Sequence, residues 1–254
     1  MDIIVSPFTN ALLWIYAAVG HNFGLAIILF TILIRVITWP LNTQQLKGAK
    51  AMQELQNDKD WQAIQKKYAK DREKLAQEQM RVYKEKGINP FGSCLPLLIQ
   101  FPILIGLYQS IYHAMASSPL ALLELSRSLY PFLNATDLIP LNSHFLWMDL
   151  GRPESIPLFG FALPSLAIVV ALTTYVQSKL TVPTASSSSD PSAAQAAAMS
   201  NSMTLTMPLM LGWFALNFPS GVAVYLITSN LLGILQYAML GKANWRNLLP
   251  GGSR

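Results

Sequence analysis

Five stretches of the sequence are apolar over close to the length needed to cross a lipid bilayer, and this limits the chain more than anything else in it. They cover 23–39, 91–115, 156–176, 203–218 and 222–240. An α-helix rises about 1.5 Å per residue, so about 20 apolar residues span the hydrocarbon. A soluble domain usually carries about 25% charged residues. This chain of 254 residues carries 12%, and within the five stretches Arg35 is the one formal charge. The predicted fold class is an all-α polytopic membrane protein. Its five transmembrane helices are 20–41, 89–115, 156–179, 200–218 and 219–240. The last two are joined by Asn217-Phe218-Pro219-Ser220-Gly221, a Pro/Gly turn that predicts an antiparallel helical hairpin.

The net charge of +5 is unevenly placed. Window 41–90 holds eleven basic and seven acidic residues. Loop 116–155 has Arg127 and Arg152 against Glu124, Asp137, Asp149 and Glu154. The tail 241–254 has Lys242, Arg246, Arg254 and no acid. Lys/Arg bias near helix ends puts the basic loop and the tail in the cytoplasm. Loop 116–155 and the N-terminus are then outside, and the expected location is the plasma membrane of a bacterium. The Ser/Ala-rich segment 180–199 reads as a flexible cytoplasmic linker. Residues 1–19 are apolar but short and contain Pro7. They read as an interfacial helix with Trp14 and Tyr16 near the headgroups. A sixth span is the alternative, and it would move the N-terminus to the other side.

Segment 42–88 is rich in good helix formers, with Leu46, Met52, Leu55, Trp61, Ile64, Tyr68, Leu75, Met80 and Tyr83 at broadly helical spacing. It predicts a cytoplasmic helical hairpin, interrupted near Asn57-Asp58. Asp71 is the expected N-cap of its second helix and Gly87 the residue that ends it. Such an arm is either a solvated loop or a docking element for a nascent chain, a ribosome or anionic lipid.

Arg35 lies inside the first span, and no Asp or Glu lies in any of the five. A guanidinium at membrane depth costs a few kcal/mol on insertion scales. It must either snorkel to the headgroups or face a wet cavity inside the bundle. Thr31 is one turn before it on the same face. Gln100 and Gln109 lie in the second span, Thr173, Thr174 and Gln177 end the third, and Thr228, Ser229, Asn230 and Gln236 lie in the fifth. Single hydroxyls in spans are usually helix–helix glue. So many amides and hydroxyls biased to one leaflet fit a hydrophilic groove open to the cytoplasm, closed outside by bulk such as Trp213, Phe214 and Phe218.

The stretch Asn89-Pro90-Phe91-Gly92-Ser93-Cys94-Leu95-Pro96-Leu97-Leu98-Ile99-Gln100-Phe101-Pro102 resembles the signature of the YidC (YidC/Oxa/Alb) family of membrane protein insertases. So do Phe218-Pro219-Ser220-Gly221 with Tyr225 and Ser229-Asn230-Leu231, and Ile34-Arg35-Val36-Ile37-Thr38-Trp39-Pro40-Leu41. The resemblance runs from about 20 to 240 and is to the short form, without a large extracytoplasmic domain. It implies a five-helix insertase core around the groove. Arg35 and Thr31 match groove positions, Gln100, Ser229 and Asn230 match motif positions, and Tyr225 matches a substrate slide formed by the third and fifth spans. Gln177 is added to the groove from its place at the end of the third span. The implied partners are nascent membrane-protein substrates and the bilayer, with the Sec translocon and the ribosome as further ones, for a monomer without nucleic-acid specificity. Segment Asn57–Trp61 stands where the family usually has a Pro, and the tail has few basic residues.

No cofactor, metal or catalytic residue is expected. Cys94 is the one cysteine, and His21, His113 and His144 are far apart. There is no P-loop and no GxSxG pattern. The chief rival is a small-solute channel or transporter, which calls for polar residues reaching the outer leaflet or for internal repeats. An intramembrane protease would need a nucleophile–base pair that Ser220 and His113 do not provide.

Overall fold

The computed structural model describes residues 2–56, 58–68, 71–88, 95–114, 119–131, 133–134, 138, 141–158, 161–181 and 191–240. It is largely helical. In chain order the helices are α1 (Asp2–Ala18), α2 (Phe23–Gln56), α3 (Lys59–Lys67), α4 (Arg72–Glu85), α5 (Leu95–Ala114), α6 (Pro119–Ser128), α7 (Ser165–Thr181), α8 (Pro191–Asn217) and α9 (Ser220–Met239). Between α6 and α7 come β1 (His144–Phe145), β2 (Met148–Asp149), β3 (Ile156–Leu158) and β4 (Phe161–Leu163), paired antiparallel as β1–β2 and β3–β4. These strands depart from the all-helical expectation. Motif residues 89–94, linker residues 182–190 and the tail 241–254 lie outside the described residues.

The chain divides into two units. The first comprises Met1–Ile37, Ile99–Thr174 and Leu209–Gly233, the second Thr38–Leu98, Tyr175–Pro208 and Ile234–Arg254. Among the described residues, two helices are long and apolar enough to cross a membrane, Phe23–Gln44 within α2 and Ser220–Met239. In α2, Leu25, Leu29, Ile32, Leu33, Val36 and Ile37 are all exposed. A continuous exposed apolar stripe of this kind is rare on a water-soluble monomer and fits a lipid neighbour.

The core of the first unit joins Leu12, Leu13 and Tyr16 of α1 to Phe23, Ile27 and Phe30 of α2, Leu107 and Ile111 of α5, Val170 of α7 and Val222 of α9. Tyr16 is therefore not a headgroup residue. Its hydroxyl accepts from the Asn142 N–H at 3.0 Å, and its ring packs edge-on against His21 and Phe23. Trp14, two residues earlier, is exposed. Asn10 ties α1 to the end of α6. Its amide donates to the Ser128 carbonyl at 3.0 Å, and its oxygen accepts from the Tyr130 N–H at 2.7 Å.

The apolar stretch 156–176 is not one helix. Its first part forms β3 and β4, with Ile156 opposite Leu163 and Leu158 opposite Phe161, and α7 begins only at Ser165. Pro157, Gly160 and Pro164 are the cause in the sequence: each breaks a helix, while the apolar run itself has no period that separates strand from helix. Glu154 closes the start of α7, accepting from the Ser165 hydroxyl at 2.8 Å and the Leu166 N–H at 3.1 Å.

The segment from Phe145 to Glu154 meets the N-terminal ends of three helices in this unit. At α2, a Cβ placed on Gly24 would lie 2.1 Å from the Phe145 ring. At α9, the Ser220 and Gly221 N–H groups donate to the carbonyls of Arg152 and Leu150 at 2.8 and 3.0 Å. At α7 the contact is Glu154. Orphan N–H groups at helix starts need such acceptors. Gathering three starts in one place makes α2, α7 and α9 run in the same sense.

In the second unit α2 does not stop at the expected boundary of 41/42 but continues through Pro40 to Gln56. Pro40 removes one backbone donor, and three residues on the Thr43 hydroxyl donates to the Trp39 carbonyl at 2.9 Å. Asp58 caps α3 and Asp71 caps α4 through the Lys74 N–H at 3.1 Å. At the far end Gly87 takes φ +64°. Its N–H donates to the Lys84 carbonyl and the Ile88 N–H to the Tyr83 carbonyl at 2.8 Å, which is a Schellman closure. Leu55, Trp61, Val82 and Tyr83 form a small separate core, with the Trp61 and Tyr83 rings 6.5 Å apart. Lys86 pairs with Asp58 across the arm.

That pair makes the arm sensitive to acid. Hydrogen bonding from the Lys86 ammonium, then from the Asp60 N–H, holds the Asp58 carboxyl below the usual carboxylate range. A carboxyl whose folded pKa is depressed stabilises the fold above its unfolded pKa. That contribution is lost as pH falls through the folded value. Hydrogen exchange of α3 and α4 amides, corrected for intrinsic rates, is expected to show easier opening at pH 3 than at pH 7, and Asp58→Asn should flatten the difference. An unchanged slope in that variant removes Asp58 from the account.

Candidate functional site

The site is built from α2, α5, α7 and α9 in the first unit. Arg35 lies twelve residues into α2, about 18 Å along the axis from the helix start. Its guanidinium turns to α9. Nε donates to the Ser229 hydroxyl at 3.1 Å and Nη2 to the same hydroxyl at 2.8 Å and to the Ser229 carbonyl. The side chain is half-buried and Ser229 is buried. The guanidinium is thus directed at α9 and hydrogen-bonded there. A fork of five N–H donors suits a hydroxyl and a carbonyl on one residue.

Two further pairs flank this contact. Gln100 of α5 donates from Nε2 to the buried Tyr225 hydroxyl at 2.9 Å. Asn230 donates from Nδ2 to the hydroxyls of Thr173 and Thr174 at 3.1 and 2.8 Å. Tyr225 and Ser229 are one turn apart and share a face of α9. That face thus holds α5 through Gln100 and α2 through Arg35, while Asn230, the next residue, holds α7. The arrangement sets one guanidinium among hydroxyl and amide dipoles, and no Asp or Glu occurs in the sequence of the expected spans.

The other site residues are placed differently. Thr31 is fully buried, and its hydroxyl donates to the Ile27 carbonyl of its own helix at 2.6 Å. Gln177 is one turn beyond Thr173 on α7, in the second unit. In that unit the Gln236 Nε2 of α9 is buried without a hydrogen-bond partner. Thr173 and Thr174 were visible in the sequence as polar residues ending a span, but only their geometry identifies them as the acceptors of Asn230. At the end of α8, Phe214 and Phe218 stack with centroids 5.5 Å apart, and Phe218 meets Tyr108 at 5.2 Å.

Asn230→Leu removes both acceptor contacts and leaves two threonine hydroxyls beside an apolar side chain. A loss of about 1–2 kcal/mol is expected, in keeping with hydrogen bonds between membrane helices. Thermal unfolding in detergent reads it, and Thr173→Val/Thr174→Val in the same background should add little.

A family model described as 60Kd inner membrane protein matches residues 14–246. The membrane protein insertase MisCA of Bacillus subtilis is 34% identical over 92% of this chain and 76% of its own length. The membrane protein insertase YidC of Oceanobacillus iheyensis is 33% identical over 94% of this chain and 82% of its own. The YidC of Syntrophobacter fumaroxidans is 33% identical over 92% of this chain, which spans only 37% of that protein. Among solved structures, one described as an active YidC insertase with the first transmembrane domain resolved is similar at 25% identity and TM-score 0.54, over 94% of this chain and 46% of that one. A match over nearly the whole length, to proteins from several bacteria that carry one name, leaves a single reading of kinship: the chain belongs to the 60Kd inner membrane protein family, the family of the YidC and MisCA membrane protein insertases.

Proposed function

We propose that this protein is a membrane protein insertase that moves the polar flank of a substrate into the bilayer through a hydrophilic groove, without nucleotide hydrolysis. One observation carries the reading above the others. A guanidinium half-way along a membrane-length helix turns to the neighbouring helix and donates to the hydroxyl and carbonyl of Ser229. The site thus sets a cation among the hydroxyl and amide groups of neighbouring helices, chemistry suited to the polar, acidic flank of a substrate.

Five spans, α2, α5, α7, α8 and α9, with the α3–α4 arm and the C-terminus in the cytoplasm and the N-terminus outside, give the topology of this proposal. The shared sense of α2, α7 and α9 supports it, since helices one, three and five of an alternating five-span chain are parallel. The basic balance of 41–90 supports the orientation.

A segment inserting unaided must carry its polar tail across about 30 Å of hydrocarbon. A wet groove reaching to Arg35 shortens that path. Arg35 attracts acidic residues of the tail, more strongly than in water because the local dielectric is lower. The apolar part then leaves along α7 and α9, past Tyr225, and burial of apolar surface in lipid, about 25 cal/mol per Å², drives the step. Nascent membrane proteins are the substrates, with the Sec translocon and the ribosome as partners to be tested and a monomer as the working unit. Proteoliposomes holding only the purified protein should protect a small single-span substrate from protease. Ion flux without such protection would favour a channel instead.

A further inference from the structure

The two strands β1 and β2 are joined by Leu146 and Trp147 alone. Two-residue hairpin turns favour Asn-Gly or Gly, because their backbone needs positive φ. Here Leu146 takes φ +55°, a region that costs an L-residue with a side chain about 1–2 kcal/mol. Burial within the protein does not offset that strain, since Leu146 is 74% exposed and Trp147 60% exposed. The turn thus displays two large apolar side chains where local preference calls for none, the kind of outlier that points to a task.

The position of the tip indicates what it meets. The Trp147 indole N–H donates to Glu154 Oε1 at 3.2 Å, and the same carboxylate caps the first turn of α7. Ile168, Val169 and Leu172, all exposed, begin within the next turn of α7. On the other flank Phe145 abuts Gly24, next to exposed Leu25 and Leu29 of α2. The tip therefore continues the exposed apolar surface of two helices at the level where both start. Arg152, with its side chain 84% exposed, stands beside it near Asp149, a cation suited to a lipid phosphate. An indole with its N–H satisfied, a leucine and an arginine at the ends of apolar helices match the headgroup zone of a bilayer.

We infer that the Leu146–Trp147 tip is an anchor that dips into the outer interfacial zone of the membrane and fixes the depth at which α2 and α7 lie. The inference rests on the reading that these helices span the bilayer, and the test separates the two. The full-length protein carrying Cys94→Ala and Leu146→Cys is labelled with an environment-sensitive fluorophore. It is reconstituted into phosphatidylethanolamine–phosphatidylglycerol vesicles with lipids bearing nitroxides at shallow or deep positions. A Leu172→Cys label serves as the spanning control.

A blue-shifted tip label quenched by shallow nitroxides, with the control quenched by deep ones, is the expected result. An unquenched, iodide-accessible tip beside a deeply quenched control overturns the anchor and leaves the spans intact. If the control also goes unquenched, the spanning reading fails and takes the anchor with it. A tip that is wet in vesicles but shielded in native membranes assigns the surface to a protein partner and likewise overturns the proposal. Leu146→Gly supplies a second readout. It relieves the turn, so the melting temperature should hold or rise, while a label at Trp147→Cys should lose its shallow quenching. Retained quenching in that variant argues against Leu146 as part of the anchor.

Discussion

Arg35→Ala is expected to lower insertion of a single-span substrate with an acidic outer tail by about tenfold or more, while Arg35→Lys keeps most of the activity. A hydrogen bond to a charged group is worth about 1.5–3 kcal/mol, and about 1.4 kcal/mol corresponds to a tenfold change. Loss of one charge–charge contact in a half-buried site therefore predicts an effect of this size. Lysine retains the charge but not the fork that holds Ser229 through Nε and Nη2. A substrate with a neutral tail should suffer less from Arg35→Ala than an acidic one. Ser229→Ala separates charge from position, because it removes the hydroxyl contacts of Nε and Nη2 while the guanidinium and the backbone carbonyl remain, and a smaller loss for every substrate is expected. Protease protection in proteoliposomes reads all four comparisons. Equal losses for the alanine and lysine variants, or no dependence on tail charge, would remove electrostatic attraction from the mechanism.

The second large effect concerns stability. Gly24→Ala puts a Cβ 2.1 Å from the Phe145 Cγ and 2.2 and 2.7 Å from its two Cδ atoms. These are at the root of the ring, so no rotation of a flexible end clears them, and the β1–β2 hairpin or α2 must shift. Overpacking of a tight site costs about 1–3 kcal/mol and occasionally more. The top of that range is expected, visible as a clear fall in the melting temperature in detergent. Phe145→Ala alone removes a partly buried ring. Combined with Gly24→Ala it should cost much less than the sum, because the second change makes room for the first. Strict additivity would mean that the two residues do not meet.

The sequence revealed those features that rest on local chemistry. Asp71 and Gly87 end α4 where an N-cap and a left-handed residue are needed. The apolar run through α2, broken by Arg35 alone, identifies a membrane-length helix from composition. Where several local signals competed, the outcome was less legible. Segment 156–163 is as apolar as any helix nearby, yet it holds strands β3 and β4, with helix-breaking Pro157 inside it and Pro164 just after it. Tyr16 looked like a headgroup aromatic, but the Asn142 N–H and two ring partners draw it into the core. For the site, residue types were visible but pairings were not. Arg35 and Ser229 are 194 positions apart, and nothing local to either says that one turns to the other. Asn230 stands out in the sequence as a polar residue in an apolar span, but its link to Thr173 and Thr174 depends on how α7 and α9 lie side by side.

The α3–α4 arm rests on a nucleus of four buried residues, Leu55, Trp61, Val82 and Tyr83, besides its caps. So few apolar contacts give a cooperative segment of low local stability, able to open while amides elsewhere stay protected. Its melting is then a private equilibrium, set by two rings and two end-caps. Temperature or a bound peptide could bias whether the arm is ordered without first unfolding the helices that carry Arg35 and Ser229.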